Sequence, residues 1–318
     1  MANGDSTPSI IASPATLTTA SNRFAHSAFQ RQLIYERETT VSEAMEDLAQ
    51  LAAFDRAMER EEATWKSRAG YCTIAVITSV VATIASFAGG IVLLGVAVGM
   101  FGIGALIAVT VCGIKWARFS RVNLDNRRVA FPRQVLNYLA HDMSPDALVR
   151  LKLDFRAYRD NAFLKGQQSG GMFSGVRQYQ YAVPWFTIAG QFLDGHRFEL
   201  EVTTTAKRKE KSKRKYTKVN ETFRERLRLF LRVKSSKYPK LSALPRLVQE
   251  KRFATPFAPT DLAVRGDTVI LGGVSAPVAR RFGRGQAHIH SIPENGLCTA
   301  DQALQSFLAL YAGLEMCR

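Results

Sequence analysis

Residues 69–114 contain no Asp, Glu, Lys, Arg or His. A surface helix of a soluble domain keeps a polar face, so an uncharged stretch this long excludes an ordinary amphipathic element. One membrane span needs about 20 residues, which makes the stretch too long for one and suited to two. Gly89-Gly90 permits a reversal and is poor in a helix interior. Spans over residues 70–88 and 91–114, joined by a very short turn, are the resulting expectation.

Cysteine is also sparse. Cys72, Cys112, Cys298 and Cys317 form no C-x-x-C and no dense framework, which excludes a disulfide scaffold and points to a reducing compartment. The N-terminus has no basic segment followed by an apolar run, so no cleaved secretory signal is expected. The chain has no G-x-S-x-G, no phosphate-cradling loop ending in Gly-Lys-Ser/Thr and no H-E-x-x-H, which leaves a hydrolase using His288, His290 or Cys298 as a third option behind the non-enzymatic readings. His288-x-His290 has metal-like spacing, but zinc needs further ligands from elsewhere, Cys298 being the nearest candidate in sequence. No metal and no cofactor is assigned, and no catalytic residue.

Charge is unevenly distributed. The chain carries a formal +16, yet residues 1–70 hold 7 Lys/Arg against 10 Asp/Glu, and everything after residue 114 holds 36 against 17. An acidic N-terminal part and a strongly basic C-terminal part therefore flank the uncharged middle, and the basic part calls for an anionic partner. Arg56, Arg60, Lys66 and Arg68 precede the first span, while Lys115, Arg118, Arg121, Arg127 and Arg128 follow the second. By the positive-inside rule both termini are cytoplasmic, with Trp65 and Trp116 at the interfacial edges.

Four segments follow from these boundaries. Residues 1–40, rich in Ser, Thr and Ala at the start, read as a disordered leader. Residues 41–69 read as an acidic amphipathic helix: Thr40 and Glu43 fit a capping box, and Met45, Leu48, Leu51, Phe54 and Met58 recur at helical spacing. Glu46, Asp47, Asp55, Glu59, Glu61 and Glu62 fall on the outward positions. The apolar stripe packs either on the protein's own C-terminal domain or in a small coiled coil. Residues 70–116 are the transmembrane hairpin, and 117–318 a basic cytoplasmic domain. In the second span Gly95-x-x-x-Gly99 lets another helix backbone approach closely, the first span or a second copy of the chain.

Within the C-terminal domain a helix is expected near residues 131–141 and another starting at Ser144-Pro145. Residues 151–158 alternate like a strand, and 166–175 read as a flexible loop. "TIAGQFLDGHRFELEV" is a hairpin around Asp194-Gly195, preceded by a strand that Pro184 makes bent or peripheral. "TFRERLRLFLRVK" places Leu227, Leu229, Leu231 and Val233 on one face and Arg224, Arg226, Arg228 and Arg232 on the other, with Glu199 and Glu201 set to oppose some of these arginines. A hairpin around Gly266-Asp267 and a last helix capped by Thr299 and Gln302 complete an antiparallel meander. The fold class is thus α+β: a two-helix transmembrane hairpin after an amphipathic helix, then a β-rich domain ending in a helix.

Between the two best strands lies "KRKEKSKRKYTK", residues 207–218, with eight basic residues and one acidic. Lys207, Arg208, Lys209, Lys211, Lys213, Arg214, Lys215 and Lys218, with Arg224, Arg226 and Arg228, are the candidate contacts to an anion. The anion is lipid phosphate of the cytoplasmic leaflet or an acidic protein surface. Nucleic acid is disfavoured, since Tyr216 is the run's one aromatic and no groove-reading helix flanks it. The functional expectation is a non-enzymatic, membrane-anchored binding or scaffold protein. The alternative is a membrane-active pore built from oligomerised hairpins.

Overall fold

The computed structural model describes residues 29, 31–122, 124–170, 175–214, 216–251, 259–282 and 297–318. Strand β1 (Ile34–Thr40) leads directly into helix α1 (Val41–Ala88), and helix α2 (Val92–Val122) returns antiparallel to it. Helix α3 (Asn126–Leu139) follows, then strands β2 (Leu148–Asp154), β3 (Leu164–Ser169), β4 (Val176–Gln191), β5 (Arg197–Lys213) and β6 (Tyr216–Arg232). Helix α4 (Leu244–Lys251), strands β7 (Pro259–Arg265), β8 (Thr268–Val274) and β9 (Val278–Phe282), and helix α5 (Ala300–Glu315) complete the chain. The architecture is α+β: two long apolar helices, an antiparallel sheet domain and a C-terminal helix.

The strands form one antiparallel sheet in the order β1-β2-β4-β5-β6-β8-β7, with β3 also pairing β4 and β9 also pairing β6. Strands β4, β5 and β6 are 16 or 17 residues long and exceed their neighbours. One half of their length is flanked by β1-β2 and β8-β7, the other by β3 and β9. Gly195, at φ 86°, closes the expected β4–β5 hairpin. Pro184 falls between the part of β4 that pairs with β3, ending at Tyr181, and the part that pairs with β2, starting at Phe186. A proline lacks the N–H that either neighbour would need, so it occupies the gap. β4 is therefore bent but not peripheral, and its register shift between Pro184 and Phe186 turns both Trp185 and Phe186 inward.

Alternation decides the core. Val202 and Leu200 of β5, Leu227, Leu229 and Leu231 of β6, Leu151 of β2 and Ile188 of β4 point to one face and are fully buried. Helices cover that face: Phe131 of α3 stands edge-on to Trp185 at 5.4 Å and Phe186 at 5.3 Å, and Phe307 of α5 meets Phe198 at 5.6 Å. Ala44, Leu48 and Leu51 of α1 are buried in the same core. The apolar stripe of α1 thus packs on the protein's own sheet. At about 25 cal/mol per Å2, each such leucine contributes roughly 1.5–3 kcal/mol.

Several expectations are corrected here. Residues 34–40, assigned to the leader, are strand β1, paired with β2 from Ile34↔Asp154 to Thr40↔Leu148; Tyr35 is a core residue that a short alternating run concealed. Asp47 and Asp55 are not outward but buried. Asp47 accepts hydrogen bonds from Tyr35 Oη at 2.7 Å and Arg37 Nη1 at 2.7 Å, and Asp55 accepts from the Leu124 N–H at 3.0 Å. Ser144-Pro145 opens a turn, closed by Ala147 N–H to Ser144 O at 2.9 Å, rather than a helix. Residues 166–169 belong to β3, while 171–174 lie outside the described residues, as do residues 1–28.

Beyond Asp55, α1 and α2 leave the domain as a pair. Asn126 Nδ2 donates to Glu59 at 2.9 Å, Trp116 Nε1 donates to Glu62 at 3.3 Å, and Lys115 Nζ lies 4.3 Å from the centre of the Trp65 ring. Farther out, Gly102 lets Ser79 approach so closely that an added Cβ would sit 2.6 Å from its Oγ. Gly95 faces the Phe87 ring of α1, 3.1 Å from an added Cβ, while Gly99 faces Thr83 at ordinary contact distance, 3.8 Å. The pair reverses at Gly89-Gly90, where Gly90 takes φ 78°. Its apolar side chains are exposed: Leu93 at 86% and Met100 at 70%. Both helices are long and apolar enough to cross a membrane.

The base of this pair is fixed to the sheet by charge. Arg127, in the first turn of α3, forks onto the fully buried Glu225 of β6, with Nη1 to Oε1 at 2.7 Å and Nη2 to Oε2. Removing one member of a buried pair costs about 3–5 kcal/mol, so Arg127→Ala is expected to destabilise the sheet domain by that amount in chemical denaturation. The double substitution Arg127→Met, Glu225→Leu should recover part of the loss. Asp55 gives a second test. Burial, with Glu59 and Asp125 nearby, raises its pKa to about 6. A raised carboxyl pKa contributes stability at low pH that is lost as pH rises through that value, so the stability of the wild type relative to Asp55→Asn should fall between pH 4 and 6 by roughly 2–3 kcal/mol and stay flat above.

Candidate anion-binding face of the sheet

The basic run is not a loop. Residues 207–213 extend β5, residues 216–218 begin β6, and Arg214 lies at the turn between them. The β5–β6 register pairs Lys207↔Thr222, Lys209↔Asn220, Lys211↔Lys218, Thr205↔Arg224, Thr203↔Arg226 and Glu201↔Arg228. Partners across an antiparallel ladder share a face. Lys207, Lys209, Lys211, Lys218, Arg224, Arg226 and Arg228 therefore all lie on the outer face, opposite the helices, and all are exposed.

The same alternation sends carboxylates the other way. Glu210 of β5 and Glu221 and Glu225 of β6 occupy positions on the inner face. In the half of the sheet flanked by β3 and β9, the outer positions of β5 and β6 carry no acid among the described residues, whereas the half flanked by β1-β2 mixes Glu199 and Glu201 with Arg197, Arg228 and Arg232. Burial, then the neighbouring Glu199, raises the pKa of Glu201, and Arg228 opposes the shift. Arg281 of β9, beside Asn220, and Arg150 and Lys152 of β2 also lie on the outer face. These three had no signal in the sequence, because only the strand order brings them beside β4 and β6.

Arg208 is the exception among the predicted contacts. It points inward and is buried, donating from Nε to Glu210 at 2.6 Å and from Nη1 to Glu221 at 3.1 Å. Arg159 Nη2 at 2.8 Å and Tyr158 Oη at 2.5 Å donate to the same Glu221 oxygen. Burial and this carboxylate push the Tyr158 phenol up to about 12. Arg208 thus serves the core and is withdrawn from the anion contacts. Arg214 is exposed at the turn. Lys215, and the side chain of Lys213, lie outside the described residues.

The second buried carboxylate, Glu225, collects five donors. Besides the two from Arg127, it accepts from Thr204 Oγ1 at 2.9 Å, Trp185 Nε1 at 3.2 Å and the Cys298 N–H at 2.9 Å. Cys298 itself is buried, and burial beside Glu225 drives its thiol pKa far up. His288 and His290 lie outside the described residues. A cluster the sequence did not announce sits at the β4–β5 turn: His196 Nδ1 is 2.7 Å from Asp194 Oδ2, to which Tyr311 Oη donates at 3.0 Å. Burial lowers the His196 pKa despite Asp194, and the group ties α5 to the turn. No protein-family model, curated protein or solved structure matches the chain.

The two sides of β5 give a paired test. Arg208→Ala strips Glu221 of a buried partner and is expected to cost about 2 kcal/mol or more in thermal unfolding. Lys209→Ala, one residue on, should leave stability within about 0.5 kcal/mol.

Proposed function

We propose that this protein is a non-enzymatic, membrane-anchored binding module, in which the α1–α2 hairpin crosses a bilayer and the outer face of the sheet engages an anionic surface. The observation that carries the reading is the separation of charge by strand alternation. Seven of the predicted cations share one exposed face, while the acids of the same hairpin turn inward or stay in the other half of the sheet. None of Lys207, Lys209, Lys211, Lys218, Arg224 or Arg226 forms an ion pair among the described residues. Like charges at this density repel and destabilise the free domain, a cost that an anionic partner removes.

The anchor rests on a separate observation. The apolar side chains of residues 70–114 are exposed rather than packed in a core, and an exposed apolar surface of this extent requires a membrane or another apolar partner. Basic residues before the first helix's apolar part and after the second support a cytoplasmic location for the sheet domain and both termini. A pore of assembled hairpins would draw on the glycines of α2 for contacts between copies, yet Gly95, Gly99 and Gly102 already face α1. Anchoring a binding face raises its effective concentration at the membrane, which converts weak contacts into avid ones.

Topology is the test. Single cysteines at Ser42, Ile91 and Ser235, in a background with Cys72 and Cys112 replaced by Ala, are to be exposed to a membrane-impermeant thiol reagent in intact cells. Labelling at 91 alone before permeabilisation, and at all three after it, is the expected result. Labelling of 42 and 235 on opposite sides would overturn the hairpin topology.

A further inference from the structure

We infer that the β5–β6 hairpin tip docks on the headgroup phosphates of the same bilayer that the α1–α2 pair crosses, which makes the basic face a second membrane contact in cis. The inference rests on the anchoring reading above and adds the identity of the anion. Direction comes first. Helix α1 starts where β1 ends, at Thr40 beside Leu148, with Val41 N–H bonded to Ala147 O. Its Phe54 meets Phe29 at 6.1 Å, and Phe29 meets Phe155 at 5.6 Å, just past the far end of β2. Helix α1 therefore runs in the direction of β2. Because β2 is antiparallel to β4, and β4 to β5, β5 runs the same way. The basic tip and the apolar helix pair leave the domain from the same end.

Height comes second. Asp55 is tied to Leu124, and three residues later Arg127 grips Glu225, which faces Thr204 across the ladder. These contacts set a common level for helix and sheet. From that level α1 rises from residue 55 to the last charge, Arg68, by roughly 20 Å at 1.5 Å per residue. Strand β5 rises from Thr204 to its end at Lys213 by roughly 30 Å at 3.3 Å per residue, and less once the twist of the sheet tilts it. The tip thus reaches the height at which the helices become uncharged, where headgroups begin. A hairpin ending at Thr204 would leave a gap of roughly 20 Å, about two Debye lengths, between the cations and the bilayer.

The geometry grades the cations. Arg214 and the cross-strand pair Lys211 and Lys218 stand at the tip, with Lys209 next. Arg224, Arg226 and Arg228 lie six to ten residues farther along β6 than Lys218, more than about 20 Å below the tip, and are screened from the headgroups. A soluble acidic protein would use the whole face; a bilayer in cis uses its upper end.

The test uses the full-length protein reconstituted into vesicles of phosphatidylcholine with or without phosphatidylserine. A genetically encoded fluorescent side chain at position 214 reports on quenching by headgroup-spin-labelled lipid. A second sample, labelled at Leu93, reports on quenching by acyl-chain-spin-labelled lipid. Quenching at both positions is expected in anionic vesicles, with the signal at 214 falling in high salt or neutral vesicles and the signal at 93 unchanged. Each of Lys209→Glu, Lys211→Glu and Lys218→Glu should lower the docked-to-free ratio about fivefold or more, whereas Arg224→Glu with Arg226→Glu should not. Quenching at 93 without quenching at 214, or equal sensitivity to the Arg224/Arg226 variant, overturns the cis contact and leaves the anchor standing. Loss of quenching at 93 overturns the anchor itself, and the cis contact with it.

Discussion

Arg127 and Glu225 meet where three parts of the molecule converge. Arg127 belongs to the turn of helix that follows the apolar pair, Glu225 to the longest run of the sheet, and the Cys298 N–H on the same carboxylate to the lead-in of the last helix. A fork of two charge-assisted hydrogen bonds fixes both distance and orientation, and complete burial removes water as a competing partner. Asp55–Leu124, Asn126–Glu59, Arg128 on the Asp154 carbonyl and the apolar stripe of α1 hold the same junction. The level of the helices relative to the sheet is set by this pair together with Asp55–Leu124.

The buried acids and the exposed bases are two consequences of one constraint. A strand turns successive side chains to opposite faces, and the register of β5 against β6 puts Lys209, Lys211 and Lys218 on the outside and Glu221 and Glu225 on the inside. Buried carboxylates demand partners, which Arg127, Arg159 and Arg208 supply. The protein therefore uses arginine in two ways. Inside, its rigid fork satisfies carboxylates; outside, at the upper end of the sheet, arginine and lysine form a field of positive charge with no acid on the same face of β5 and β6 among the described residues.

A similar division of labour runs along α1. Its first turns bury Ala44, Leu48 and Leu51 in the core, its middle turns hold α2 and α3 through Asp55, Glu59 and Glu62, and its last turns carry only apolar and small residues. One continuous helix passes from a sheet core, through a charged stalk, into an exposed apolar segment. The helix continues unbroken through Gly70, where the charged stalk gives way to the apolar segment.

Much of this was legible in the sequence. The uncharged residues 69–114, the Gly89-Gly90 reversal, the Asp194-Gly195 turn, the alternation of Leu227 to Val233 and the capping box at Thr299 each arise from local spacing, and local spacing is what a sequence displays. The inward turn of Arg208, the burial of Asp47 and Asp55, the β1 strand inside the presumed leader and the arrival of Arg150, Lys152 and Arg281 on the basic face were not legible. Each depends on a partner far along the chain: Glu221 for Arg208, Leu124 for Asp55, β2 for β1, the strand order for the outer cations. Composition and periodicity determined by themselves that an apolar hairpin adjoins a basic β domain, because burial patterns repeat every two or 3.6 residues. Only the tertiary structure decided which charges are spent in the core and which are left exposed on the outer face, because an ion pair forms between residues that the register and the helix packing bring together, at separations no local pattern encodes.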